Sequence, residues 1–405
     1  MKKRSFFKHH QPLIPEKIAM LGSMPPIRGV SSYCLEFALA MADLASVEFI
    51  SFKKIYPAFL YPGGVLNDDK TFPDIRHPRL NVRRRLTWYN PVSWLIEGLF
   101  TDAELLHAQW WSLPLAPVYA VVCIGFRIRR KPVVLTVHNV QSHERTFLYN
   151  LVSRLLFKLS DHFIVHSTVN LNQLIENYHI HPVQVTRIPH GPLDFHVKCN
   201  QEKNLIHQQM ELPLQAKVIL FFGAIRSYKG IATAIKAFFK VVNWIQDVYF
   251  LIAGKLWESW IPYQQLISEL GLGKKIRTHL KYIPSEDVSD FFVVSDLVIL
   301  PYHYFDSQSG VGATALSFRK PLIVTNVGGL PDLVEDKRCV VPPEDPDALA
   351  DAIITCLEDP ELLAKLSVDS GGVAEKMAWP EITKKTWFVY KQILGLKEPF
   401  NRDQI

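Results

Sequence analysis

The chain has 405 residues, 48% of them apolar and 21% charged, with a net charge of +6. That length suits two domains of ordinary size, each able to bury its own core, and the composition excludes a disordered or fibrous protein. The five cysteines (Cys34, Cys123, Cys199, Cys339, Cys356) are scattered at no zinc or Cys-x-x-Cys spacing, which excludes a disulfide framework and predicts reduced thiols in a cytoplasmic protein.

The N-terminal segment is basic but has no continuous apolar run, so it does not read as a signal peptide. Residues 18–21 read as a short buried strand. A Gly-, Pro- and Ser-rich turn follows over 22–32 (GSMPPIRGVSS), then an apolar helix over 33–44. Strand, loop and helix start form either a plain βα turn or a phosphate and substrate cradle at Arg28, Gly29 and Ser31. The loop is not G-x-G-x-x-G, which argues against a dinucleotide.

Residues 53–100 are less regular. Arg76, Arg79 and Arg83 to Arg85 precede Trp88, Tyr89 and Trp94. That mixture suits a lipid headgroup surface or an anionic acceptor, or simply a solvated loop. The most apolar run, 110–126, contains two prolines and precedes Arg127, Arg129, Arg130 and Lys131. It predicts a core or interfacial helix, since it is shorter than the ~20 residues a membrane span needs.

Residues 105–111 (LLHAQWW) read as a strand opening into a loop at Trp110 and Trp111. Residues 132–137 are a clear buried strand, ending in His138 and Asn139, with His143 and Glu144 close behind. Polar groups at the C-terminal end of such a strand sit where α/β enzymes place their chemistry. The spacing does not match H-E-x-x-H, so no metal site is expected. Helix (146–159), strand (162–165), helix (170–178) and strand (184–188) follow, and Pro189-His190-Gly191-Pro192 ends the domain. Residues 196–212 are polar and unpatterned and read as a linker.

A second domain opens with the strand 217–222 and the loop Gly223 to Gly230, which carries Arg226 and Lys229. Two cations in a βα loop bounded by glycines are placed to grip an anion. A helix to about 242, a strand over 248–253, a helix over 264–270 and a strand closing at 281–284 repeat the pattern, and Ser285 and Glu286 are expected to cap the next helix. A buried strand at 297–300 empties into a polar loop, then a small-residue helix over 309–319 and a strand over 322–325. This is a second place for an anion, at a helix N-terminus. Helices are expected at 345–357 and 360–366, a break at Gly371-Gly372, and an amphipathic helix over 379–394. Residues 1–200 carry 23 Lys and Arg against 14 Asp and Glu, whereas the remainder carries 22 against 25. The basic half is expected to meet something anionic, and no nucleic-acid module is present.

With these pieces assembled, the chain resembles the family-4 glycosyltransferases. The resemblance runs from Ile18 to Leu394 and rests on PPIRGVSSY, HAQWW, VVLTVHNVQSHE, RIPHG, FFGAIRSYKG, LIAG, the SQSG loop, VTNVGGLPDLV, VPPEDPDALA and AWPEITKKTWFVY. It implies an α/β protein of GT-B fold, two Rossmann-like domains facing across a cleft. The implied division is an acceptor-binding domain over 1–195, a linker over 196–212, a nucleotide-sugar-binding domain over 213–375, and a C-terminal helix within 376–405 that crosses back. It further implies a retaining, metal-independent transfer of a sugar from a nucleotide diphosphate-sugar, with no bound cofactor.

By the same resemblance Arg226 and Lys229 grip the donor diphosphate, Ser309, Gly310 and Val311 add backbone N–H groups, and Gly223 and Thr314 belong to the donor-binding site. Tyr282 and Ile283 join the donor site. His138 lies beside the transferred sugar, and Arg28, Gly29, Ser31, Trp110, Trp111 and Asn139 form the acceptor side. The family usually places two glutamates eight positions apart; here those positions hold Asp306 and Thr314, and the loop resembles a bacterial subset with Gln-Ser-Gly-Val at 308–311. Asp306 keeps a carboxylate, whereas a threonine cannot accept two ribose hydroxyl bonds as a carboxylate does. The expected activity is hexosyl transfer, mannose or glucose, to a glycan or lipid-linked acceptor of the cell envelope or an exopolysaccharide. The expected location is cytoplasmic, with peripheral contact to the inner face of an anionic membrane. Two other readings stay open: a degenerate subunit that binds without catalysis, and a GT-B nucleotide-sugar epimerase.

Overall fold

The computed structural model describes residues 15–27, 30–56, 76–140, 147–193 and 202–396. In chain order the first half contains β1 (Lys17–Leu21), α1 (Ser31–Ala42), β2 (Ser46–Lys54), β3 (Leu80–Thr87), α2 (Pro91–Leu99), β4 (Leu105–Trp110), α3 (Ala116–Ile128), β5 (Val133–Val137), α4 (Phe147–Phe157), β6 (His162–Val165), α5 (Thr168–Tyr178) and β7 (Val185–Arg187). The second half contains α6 (Lys203–Gln209), β8 (Lys217–Phe222), α7 (Ile231–Trp244), β9 (Val248–Ala253), α8 (Ile261–Glu269), β10 (Ile276–His279), α9 (Val288–Val294), β11 (Leu297–Leu300), α10 (Gly310–Ser317), β12 (Leu322–Thr325), β13 (Val340–Val341), α11 (Pro346–Glu358), α12 (Pro360–Lys376) and α13 (Trp379–Ile393).

The strands form two separate parallel sheets, of order β3-β2-β1-β4-β5-β6-β7 and β10-β9-β8-β11-β12-β13. Strands covered on both faces need side chains that are apolar on both faces, and β5 (VVLTV), β11 and β12 are buried throughout. In the first sheet, one face packs under α2, α3, α4 and α5 and the other under α1 and α13. The order reverses between β1 and β4 in one sheet and between β8 and β11 in the other, which opens a crevice beyond the strand ends at each point.

Several sequence expectations give way here. Residues 80–99, read as a loop, form the edge strand β3 and helix α2. Two of their arginines are held by protein carboxylates: Arg83 Nη1 lies 2.8 Å from Glu48 Oε1 and its Nε 3.2 Å from Glu97 Oε2, and Arg85 Nη1 lies 3.6 Å from Glu97 Oε1. Glu97, packed between Arg83 and Arg85, is buried, and that burial raises its pKa against the pull of the two cations. The 196–212 stretch contains α6, which docks by Ile206 and Met210 onto the second domain's core.

Helix α12 runs through Gly371-Gly372 to Lys376, where a break was expected. Leu362, Leu366, Ser370, Val373 and Met377 are buried at helical spacing, and that stripe outweighs two glycines at about 1 kcal/mol each. Asp287, rather than Ser285 or Glu286, occupies the N-cap of α9 and makes no side-chain capping bond.

The C-terminal helix does cross back. Trp379 Nε1 donates to Pro192 O at 2.8 Å, and the indole packs where a Cβ on Gly191 would come within 2.6 Å of it. Tyr390 Oη and His107 Nδ1 meet at 2.6 Å in the buried layer between α1 and α13.

Candidate active site

The site grows from the crevice between β8 and β11. Strand β8 is followed by Gly223, whose φ of 97° suits a residue without Cβ. A Cβ there would lie 3.0 Å from Val311 Cγ2 and 3.1 Å from Lys229 Nζ, so the glycine lets that ammonium and the start of α10 approach the strand end together. The loop then makes a 3₁₀ turn over Ser227–Lys229 and closes on Gly230, with φ 72°. A Cβ on Gly230 would be 1.8 Å from Pro301 O, which only a glycine avoids.

Lys229 is buried, with its Nζ 5.3 Å from the centre of the Tyr302 ring. Burial lowers its pKa, Arg226 lowers it further, and Tyr228 opposes both. An ammonium short of solvent and of a counter-ion binds an incoming anion more strongly than a solvated one does. Helix α10 starts beside it. Ser309 is its N-cap, with Oγ accepting from Gly312 N at 3.4 Å and paired with Tyr302 Oη at 3.2 Å.

Between these parts lies a cavity of about 320 Å³, walled by Phe222, Tyr228, Lys229, Tyr302, Phe305, Ser309, Gly310, Val311 and Thr314, with Val288 and Leu193 at its sides. That is a ligand-sized volume with an apolar and aromatic wall, one buried cation and a helix N-terminus.

The structure therefore brings together Gly223, Lys229, Ser309, Gly310, Val311 and Thr314. Thr314 Oγ1 donates to Gly310 O at 2.9 Å, so its hydroxyl hydrogen is spent within the helix. Arg226 stands outside the cavity wall, with its guanidinium 3.8 Å above the Trp257 ring. Asp306 is half-buried in the loop before α10. Its carbonyl accepts from Ser167 Oγ at 2.6 Å, and it too lies outside the wall. Ile283 is a core residue and Tyr282 is half-buried beyond β10; neither side chain reaches the cavity.

On the first domain, His138 follows β5 and is buried, with Nε2 3.0 Å from Gln109 Oε1 and Nδ1 3.2 Å from His166 Nε2. His166 Nδ1 must donate to Ile188 O, 2.9 Å away, because a carbonyl only accepts. His166 Nε2 then accepts, His138 Nδ1 donates, and the neutral His138 has an accepting Nε2. Turning the Gln109 amide by 180° pairs that nitrogen with Gln109 Nε2, which otherwise has no partner. Burial, reinforced by His166, His190 and His107, drives the His138 pKa well below its ordinary value, so the imidazole is uncharged. The Tyr33 ring centre is 4.9, 5.3 and 4.7 Å from those of His138, His166 and His190. Despite their closeness these imidazoles form no metal-ligand group among the described residues.

The acceptor-side expectations fare differently. Trp110 is fully buried in the core on β4 and contributes no surface, because the strand runs one residue further than the loop was expected to begin. Trp111 packs against that core and its carbonyl accepts from Asn139 Nδ2 at 3.1 Å, which ties two strand ends together. Ser31 is buried and donates to Ser23 Oγ at 2.9 Å. Arg28, Gly29, His143 and Glu144 lie outside the described residues.

Contacts that sequence reading did not single out fasten the two domains at the site. Gln308 Oε1 accepts from His190 N at 2.6 Å, and Arg187 reaches Asp332 at 3.1 Å. Glu258 Oε2 accepts from Ser227 N at 2.7 Å and Oε1 from Tyr263 Oη at 2.5 Å, so a carboxylate holds the Arg226 loop in place. The only sequence signal for Glu258 was its place after a strand-ending glycine.

Two parallel-sheet domains, each with a crevice at its switch point, tied by a C-terminal crossover helix, are the GT-B architecture. Residues 27–192 match the profile described as Glycosyltransferase Family 4, and residues 202–369 match that described as Glycosyl transferases group 1. With one match on each domain, the chain belongs to glycosyltransferase family 4.

A D-inositol 3-phosphate glycosyltransferase of Corynebacterium efficiens is 23% identical over 313 residues, 72% of each chain. Sucrose-phosphate synthase of Thermosynechococcus elongatus superposes with a TM-score of 0.70 at 19% identity, covering 94% of this chain and 100% of that one. Anabaena HepE in complex with UDP and glucose superposes at 0.71 and 18% identity, covering 93% and 100%. The protein is a glycosyltransferase of GT-B type.

Proposed function

We propose that the protein transfers a hexose, mannose or glucose, to a glycan or lipid-linked acceptor, with retention of configuration and with no metal. The setting is cell-envelope or exopolysaccharide synthesis at the inner face of the cytoplasmic membrane. One observation carries the reading: the buried Lys229 ammonium and the start of α10 share one cavity, brought together beside Gly223. Cleaving the glycosidic bond leaves additional negative charge on the departing diphosphate. A fixed cation and free N–H groups, already desolvated, stabilise that charge without reorganising. His138 on the first domain is neutral, both its ring nitrogens held by Gln109 and His166, so it places no competing charge there. The UDP and glucose of the HepE complex are consistent with a hexose donor.

A second reading, binding without catalysis, has one observation in its favour: the Thr314 hydroxyl is turned to its own helix. The test is turnover of UDP-glucose and GDP-mannose in the presence of EDTA, with and without candidate acceptors, and the anomeric configuration of the product by NMR. Turnover is expected to persist in EDTA and to fall about 10²–10³-fold in Lys229→Ala. A Lys229→Ala rate within about threefold of wild type would remove the proposed role. A product of inverted configuration would remove the retaining mechanism. A C2-epimerised donor formed without acceptor would favour the epimerase.

A further inference from the structure

We infer that the outer face of α2, α3 and α4 is a docking surface for an anionic lipid bilayer; this names the membrane contact assumed in the proposed function and rests on it. The three helices form one layer on one face of the first sheet, α2 packed on α3 and α3 on α4. Their inner sides are core. Their outer sides should be polar, because the usual surface helix turns only one stripe inward. They are not. Val92, Ile96 and Phe100 on α2 and the residue after it are 64%, 42% and 73% exposed. Ile124 and Ile128 on α3 are 40% and 65% exposed, and Leu155 on α4 is 58% exposed.

The spacing is helical on each element, four residues apart along α2 and α3, so each helix presents a second apolar stripe opposite to its core stripe. Single exposed hydrophobics need no explanation, but a contiguous layer of them on adjacent helices marks an interaction surface.

Charge selects the partner. The cations Arg130, Arg154 and Lys158 are exposed beside or between these apolar residues, and Arg127, also exposed, is paired with Asp161. Over the described residues 85–161 there are seven Lys and Arg against four Asp and Glu, of which Glu97 is buried against Arg83 and Asp161 is paired with Arg127. An apolar stripe edged by Lys and Arg is the pattern of an interfacial helix lying in the headgroup plane of an anionic membrane. Insertion across the bilayer is a different matter, since no helix among the described residues is long and apolar enough.

The test is co-sedimentation of the purified full chain with phosphatidylcholine vesicles and with vesicles containing phosphatidylglycerol, at low and high salt. Donor turnover in vesicle-free solution is measured on the same samples. The wild type is expected to bind the anionic vesicles at least about tenfold better than the neutral ones, and to be released by salt. The Phe100→Ser, Ile128→Ser, Leu155→Ser triple variant and, separately, the Arg130→Asn, Lys158→Gln pair are each expected to lose about tenfold in binding. Both keep the wild-type melting temperature, because every altered side chain is exposed.

Equal binding to both vesicle types, no binding at all, or undiminished binding by both variants would overturn the inference. So would a wild-type dimer that the triple variant converts to monomer. Turnover intact in a protein that ignores vesicles defeats the docking surface and leaves the transfer reaction standing. Vesicle binding without turnover does the reverse.

Discussion

Arg226 and Lys229 look equivalent in sequence, three positions apart in one loop, yet they occupy different environments. Lys229 is buried in the cavity wall; Arg226 rests on the Trp257 indole. Trp257 belongs to the segment after β9, which is laced to the Arg226 loop by Ile225 N to Lys255 O (2.9 Å) and Trp257 N to Ile225 O (3.1 Å). The indole thus acts as a shelf that limits where the guanidinium can point.

A cation–π contact of this kind is worth about 0.5–2 kcal/mol, or ~2- to 30-fold in a binding constant. Trp257→Ala is expected to raise the donor KM by that factor with a smaller change in kcat, and Trp257→Phe to retain most of the affinity. Steady-state kinetics on the three proteins checks it. Equal losses in the Ala and Phe variants would mean that the indole only fills space. The loop cations were legible from their place between two glycines. Trp257 and Glu258 were not, because the contact joins two βα loops about thirty residues apart, which no local pattern records.

At the scale of elements, α2 and α3 cross where Gly98 meets Gly125. A Cβ on Gly125 would lie 2.6 Å from Gly98 C, and one on Gly98 would lie 2.8 Å from Val122 O. Both are backbone atoms, so the helices would have to move apart. Gly125→Ala is therefore expected to destabilise the first domain by about 1–3 kcal/mol despite alanine's better helix propensity. Denaturant titration followed by tryptophan fluorescence measures this, and an unchanged midpoint would show that the crossing yields freely.

Most elements could be read in advance, since buried parallel strands leave apolar runs and the helices between them leave periodic ones. Strand β3 escaped because it is an edge strand, and Arg83 and Arg85 on it are paired with Glu48 and Glu97 from elsewhere in the fold. Helix α6 escaped because its burial is a tertiary matter: two apolar residues in a polar stretch, Ile206 and Met210, give no clear periodicity until the core they meet is known.

Over the whole molecule, the first domain concentrates buried histidines. Burial holds His107 and His166 down at about 3 and His162 and His190 at about 4, against an ordinary 6.5, with His138 also well below. All are neutral when folded. In the unfolded chain they take up protons once the pH falls below about 6.5, so the unfolded state binds more protons and gains on the folded one. The melting temperature is expected to fall continuously from pH 6.5 to about pH 4, where His162 and His190 begin to charge in the fold as well. Calorimetry across that range checks it, and a flat profile would show that these imidazoles are solvated.

The same cluster joins the crossover helix to the site: Trp379 and His190 both pack on Tyr33, and His190 N is bound by Gln308 of the other domain. Sequence alone determined that there are two βα-alternating halves, that Gly223, Lys229 and the 309–311 turn follow strand ends, and that the chain closes on an amphipathic helix, because each of these is written in local periodicity and turn chemistry; that this helix returns to the first domain was implied only by the family resemblance. Only the tertiary structure decided that Trp110 is core, that Arg226 and Asp306 stand outside the cavity wall, that His138 is a neutral member of a hydrogen-bonded chain, and that three helices turn apolar faces outward. Those outcomes depend on what each side chain meets across the fold, and distance in space is not carried by distance along the chain.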